Sequence, residues 1–317
     1  IKNSHSLAEN AKILIHYGAP LYISILLTGF IPLYKNVILA FFTTDAEIGN
    51  YKAAINFATL ITVLSLPITT VLLPAFSKLN SEANHKIKTF FKLANKYTSI
   101  IVIPVTFLFI IFSNEIVQII YGTTYQSAPL FLATYCLLYL LTGLGYLTLT
   151  SLYNGLGETK TTLKMSLITF ILLAILSPIL TQIYNVQGVI AAFLIASAAG
   201  TLYGSYIARK KFQIKFDTSP LLKIYSISIV SSILPLIIVN FTHLPSLFTI
   251  TIGGLLYLFT YTSLIPITKT VTTLELQKAA SITQNVRLLD FIAKPILKYE
   301  QKMLHIRSNS KKLVENR

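Results

Sequence analysis

About eight blocks of roughly 20 predominantly apolar residues, separated by short polar breaks, run along the chain between residues 12 and 268. A helix rises ~1.5 Å per residue, so each block is long enough to cross the ~30 Å hydrocarbon layer of a bilayer. A water-soluble domain of this size would carry about 25% charged residues, whereas this chain carries 12%, with 54% hydrophobic residues and a mean hydropathy of +0.67. The expected fold class is therefore all-α: a polytopic helical membrane protein with about eight transmembrane helices. The blocks read as spans near 12–42, 53–74, 97–120, 129–153, 163–183, 188–208, 220–241 and 246–268.

The polar breaks alternate in charge. Twenty-four of the 26 Lys and Arg residues fall before or at the start of the first span, in or at the edge of every second loop, or after residue 268. Of the other two, Lys52 lies at a span edge and Lys35 lies inside the first span. Short loops rich in Lys and Arg stay in the cytoplasm, which puts both termini of this chain on that side of a multi-pass plasma membrane protein. The net charge of +15 thus reflects topology and contact with anionic membrane lipids; it does not call for a nucleic acid partner. One cysteine and five scattered histidines cannot build a metal cluster, and nothing calls for a cofactor. Residues 272–294 open with a capping box, Thr272 with Glu275. They read as a basic amphipathic cytoplasmic helix within the tail 269–317.

Lys35 sits eight residues before Thr43, about 12 Å below the expected outer edge. Inserting a lysine there costs roughly 2.5–3.5 kcal/mol. Tyr17, Ser24, Thr28 and Lys35 fall within about 40° of one another on a helical wheel, so the lysine ends a polar stripe. Two readings stand. In one, Lys35 is a cation in a wet cavity that attracts an anionic substrate group. In the other, it is an anchor that snorkels or bonds carbonyls freed near Pro32. Towards the outer side the only carboxylates are Asp45 and Glu47 in the first loop and Glu115 near the outer end of the third span, and none pairs evidently with the lysine. A second stripe on the fourth span combines Tyr135, Tyr139, Thr142, Tyr146 and Tyr153. Tyr135 and Tyr153 suit an interfacial anchor. The deeper hydroxyls of Tyr139 and Tyr146 need partners, either a glycan headgroup or neighbouring helices. Gly188, Ala192, Ala196, Gly200 and Gly204 form a small-xxx-small ladder that admits a close helix neighbour. Mid-span prolines at 32, 67, 104, 178 and 235 favour bent helices of the kind found in transporters.

Several segments resemble, in order, the polysaccharide-repeat-unit flippase branch of the multidrug/oligosaccharidyl-lipid/polysaccharide exporter superfamily. They are "IGNYKAAINFATL", "LLPAFSKLN", "IIYGTTYQSAPLFL", "LYNGLGETKTT" and "VQGVIAAFLIAS". The resemblance implies a fourteen-helix exporter of which this chain supplies helices seven to fourteen. Residues 1–11 would be the inner linker, 12–208 the carboxy-terminal six-helix transport lobe and 209–268 two additional transmembrane helices. An amino-terminal lobe of the same protein would be the missing partner; the polar start at Ile1, without a signal-peptide pattern, points the same way. The implied function is flipping of a lipid-phosphate-linked oligosaccharide by alternating access, with no enzymatic step. Lys35 would meet the phosphate, and Tyr17, Ser24, Thr28, Tyr139, Thr142 and Tyr146 would meet the glycan. Tyr34 stands where the branch often has an aspartate, which puts a carboxylate-dependent coupling step in doubt. The alternatives are a cation-coupled drug exporter of the same superfamily, which usually needs an intramembrane acid, and a membrane glycosyltransferase or polymerase, which needs clustered carboxylates.

Overall fold

A computed structural model describes residues 7–79, 84–241, 244–268 and 270–271. The expected amphipathic tail lies outside the described residues. The chain is helical, with no strand among the described residues. Its helices are α1 (Leu7–Phe42), α2 (Asp45–Ser77), α3 (Asn84–Ile111), α4 (Ser113–Tyr121), α5 (Ala128–Leu140), α6 (Leu149–Gly155), α7 (Thr159–Tyr184), α8 (Val186–Phe212), α9 (Thr218–Phe241) and α10 (Ser246–Ile267). Seven are long and apolar enough to cross a membrane. The fourth expected span, 129–153, is a pair: α5 runs into a 3-10 turn (Leu141–Leu144), and α6 departs at 48° after the break. The third expected span ends at Ile111, and its last residues form the separate helix α4.

The helices run uninterrupted through Pro32, Pro67, Pro104, Pro178 and Pro235. A helical proline frees the carbonyl four residues earlier, and neighbouring groups can satisfy it. At Pro178 the freed acceptor is the Ala174 carbonyl, and the Tyr34 hydroxyl of α1 donates to it at 2.9 Å. Tyr34 thereby ties α1 to α7. The true break comes where there is no proline, at Leu-Thr-Gly-Leu-Gly. Gly145 there adopts φ +94°, a left-handed conformation that residues with a Cβ rarely adopt.

Contacts divide the chain into two compact units, Ile1–Asp217 and Thr218–Arg317. In the first, α7 and α8 pack most closely. The ladder faces α7: Gly188, Ala192, Ala196, Gly200 and Gly204 are all buried. A Cβ on Gly188 would stand 2.1 Å from the Leu180 carbonyl oxygen, so only glycine permits this approach. One apolar cluster of this unit joins α1, α2, α5, α7 and α8. A second gathers Phe76, Phe91, Leu152, Tyr153 and Phe212 and lies near the ion pairs Lys92–Asp217, at 2.6 Å, and Lys211–Glu158. In the second unit α9 and α10 pack on each other, with Ser228, Ser231 and Tyr257 buried. The rings of Tyr257 and Tyr261 stack at 6.1 Å.

The segments that carry the family resemblance meet where helix ends dock. Asn50 of "IGNYK" caps α5: its Oδ1 accepts from the backbone N–H groups of Ser127 (3.0 Å) and Ala128 (3.1 Å), in "TTYQSA". The Ser127 hydroxyl donates to Glu47 at 3.2 Å. Phe76 of "LLPAFSKLN" shares the second apolar cluster with Leu152 and Tyr153, which open "LYNGLGETKTT".

Candidate functional site

Lys35 is buried, with 4% of its surface exposed. Its Nζ lies 4.1 Å from the ring centre of Phe193, 5.1 Å from that of Tyr135 and 5.9 Å from that of Tyr51. All three rings are themselves buried, and those of Tyr135 and Phe193 stack at 5.8 Å. The lysine rides on α1, while the rings come from α2, α5 and α8. The side chain thus neither faces open space nor lies among carbonyls near Pro32; it points into an aromatic cage.

The cage meets the lysine with ring faces and supplies no counter-charge among the described residues. An ammonium has three N–H donors. Its hydrogen bond among the described residues goes to the Tyr135 hydroxyl, at a long 3.5 Å. Among the described residues no carboxylate lies within ion-pair distance. A cation over an aromatic face gains about 0.5–2 kcal/mol, whereas removing an ammonium from water costs several kcal/mol even after relaxation. The rings offset part of that cost. The remaining donor capacity would suit an anion.

The other stripe residues are engaged separately. Ser24 donates to the Leu21 carbonyl (2.8 Å) and Thr28 to the Ser24 carbonyl (2.8 Å), both within α1. Tyr17 donates to the Asn154 carbonyl of α6 at 3.0 Å, far along the helix from Lys35. Tyr139 is buried; its hydroxyl donates to the Ala58 carbonyl (3.0 Å) and so must accept from Thr62 (2.7 Å). That is helix packing between α5 and α2. Thr142 bonds the Tyr139 carbonyl at 2.6 Å. Tyr146 packs half-buried against the first apolar cluster. The wheel that aligned Tyr135 to Tyr153 assumed one straight helix, and the break at 141–148 ends that alignment. Tyr153, expected as an interfacial anchor, is fully buried, and its hydroxyl donates to the Gly204 carbonyl.

Reasoning from sequence missed Tyr51, Phe193 and Asn95. Tyr51 falls in what reads as a loop, yet α2 begins six residues before it. Phe193 is one apolar residue among many. Asn95 of α3 is 3% exposed and serves the helix break: its amide donates to the Gly143 carbonyl (2.9 Å), and its oxygen accepts from Thr148 (3.0 Å). Ser205 of α8 donates to the Leu144 carbonyl at 2.7 Å. Glycines at 143 and 145 were the available signal for this break. On α4, outside the spans, Glu115 is buried, and its Oε2 has no hydrogen-bond partner among the described residues. Burial pushes its carboxyl above the usual carboxylate range.

Residues 4–129 match the family model described as "Polysaccharide biosynthesis protein". The chain is 24% identical over 220 residues to the probable low-salt glycan biosynthesis flippase Agl15 of Haloferax volcanii, a match covering 67% of this chain and 45% of that protein. Its fold is similar to the lipid II flippase MurJ in an inward closed conformation, with a TM-score of 0.66 and 22% identity, over 83% of this chain and 56% of that one. The chain spans about half the length of these relatives. Together with the docked motif segments, these matches support the resemblance to the polysaccharide flippase branch of the multidrug/oligosaccharidyl-lipid/polysaccharide exporter superfamily.

Proposed function

We propose that the protein to which these residues belong flips a lipid-phosphate-linked oligosaccharide across the plasma membrane by alternating access. A charged, hydroxyl-rich headgroup cannot cross hydrocarbon unaided, because each unsatisfied polar group costs several kcal/mol there. The family and the fold support this reading. So does one observation above all: a buried ammonium with spare donors and no carboxylate within ion-pair distance among the described residues. Lys35 supplies the positive charge that meets the lipid phosphate, the carrier tail stays among acyl chains, and no bond is made or broken. An amino-terminal lobe of the same protein forms the other wall of the path, and both ends of this chain lie in the cytoplasm.

Ser24, Thr28, Tyr17 and Tyr139 already donate to backbone carbonyls. With Thr142 and Tyr146 they are secondary glycan contacts at most, and the proposal rests on Lys35. Lys35→Gln and Lys35→Ala are expected to cut export of the lipid-linked glycan at least about tenfold, on the order of one lost charge-assisted contact, while membrane insertion is kept. Full export by both variants, at normal abundance in the membrane, would remove this role.

A further inference from the structure

We propose that Tyr51, Tyr135 and Phe193 are positioning residues that hold the Lys35 ammonium while the site is empty and compete with the substrate's phosphate for it. The proposal rests on the phosphate-binding reading of Lys35 and adds residues and a consequence to it.

The argument starts from where the groups sit. α1 packs chiefly along α7 and makes only small contacts with α2 and α8. Lys35 extends from α1 to rings from α2, α5 and α8, and its side chain is thus a polar bridge beside the apolar contacts of Ile31, Ile38 and Leu39 in the same cluster. Phe193 carries no polar atom that could hold the cation by hydrogen bonding, so its 4.1 Å approach is one of ring face to charge. The stacking of Tyr135 on Phe193 fixes both faces in place.

Such a cage discriminates by charge. A sugar hydroxyl offers the ammonium one neutral hydrogen bond, which is a poor exchange for three ring faces. A phosphate offers full negative charge in a low-dielectric setting, where ion attraction is strongest. Only the charged part of a lipid-linked glycan would then draw Lys35 out. Its departure removes the bridge between α1 and α2, α5 and α8, so that occupancy of the site is felt in how the helices are held.

The test replaces Phe193 in the full-length protein with mono-, di- and trifluorinated phenylalanine, which keep ring shape while draining the negative face. Melting temperature is read in lipid nanodiscs, first without ligand and then during titration with polyprenyl monophosphate, with neutral polyprenol as the control. Without ligand, the melting temperature is expected to fall stepwise, by about 1 °C per fluorine, and not to move in a Lys35→Met background. Across the same series the polyprenyl phosphate needed for half-saturation is expected to fall about threefold, the reverse of what a damaged site would do. A flat melting series with Lys35 present overturns the cage and leaves the export role of Lys35 to its own test. A stepwise series with unchanged half-saturation overturns the competition. No response of the unmodified protein to polyprenyl phosphate removes the competition and the phosphate reading together, even where the stepwise series stands.

Discussion

Asn95 and Lys35 are both buried polar side chains in the same helical unit, and they are treated in opposite ways. Asn95 uses both ends of its amide, donating to Gly143 and accepting from Thr148. It stands at the α5–α6 break, where a 3-10 turn leaves backbone groups that hydrocarbon cannot satisfy. Lys35 sits among three rings and one distant hydroxyl. One polar group is consumed by structure; the other is left with capacity to spare. In a membrane, where an unmet polar group is expensive, the under-satisfied group is the better mark of function.

The contrast can be broken most forcefully at Asn95. Asn95→Leu orphans the Gly143 carbonyl and the Thr148 hydroxyl, and is expected to cost about 3 kcal/mol of stability. Thermal unfolding of the purified protein should show a lower midpoint and a reduced folded yield; wild-type stability would mean that the break does not depend on this amide. Lys35→Met should do the reverse, leaving stability unchanged or raising it by up to about 2 kcal/mol, because a buried charge is exchanged for a chain of similar length. The same unfolding assay, run beside glycan export, separates the two residues: one variant loses the fold and the other only the transport.

Smaller changes sharpen the picture. Thr148→Val removes one hydrogen bond to Asn95 and should cost about 1 kcal/mol, with a clear coupling to Asn95→Leu in a double-mutant cycle. Ser205→Ala, at a more accessible rim of the break, should cost about 0.5 kcal/mol. Glu115 offers a pH test outside the spans. Its folded carboxyl is held above the unfolded value of about 4.3 by burial, so the folded form binds its proton more tightly. Stability should therefore decline as pH rises from about 4.3 through the folded value and then level off. Glu115→Gln should flatten that slope, as read by unfolding midpoints across pH.

Local properties were legible in the residues and long-range ones were not. An apolar run of about 20 residues announces a span by itself, which is why seven long helices and one bent pair fall on the eight blocks. The ladder from Gly188 to Gly204 announced a close neighbour, and α7 is that neighbour. Prolines do not mark the break, because a helix can continue past a missing N–H when a partner such as Tyr34 meets the freed carbonyl. Gly143 and Gly145 mark it from within the fourth block, where the apolar residues around them read as span.

By itself the sequence determined the all-α membrane architecture, the short connections and the anomaly of one lysine deep in an apolar helix, since hydropathy and helical rise are properties of consecutive residues. Tertiary structure alone decided what surrounds that lysine. Tyr51, Tyr135 and Phe193 are separated along the chain by scores of residues and look ordinary in their own segments. They become a cage only when α2, α5 and α8 bring three ring faces to one charge, because a cation–π contact depends on position in space and leaves no periodic trace in the chain.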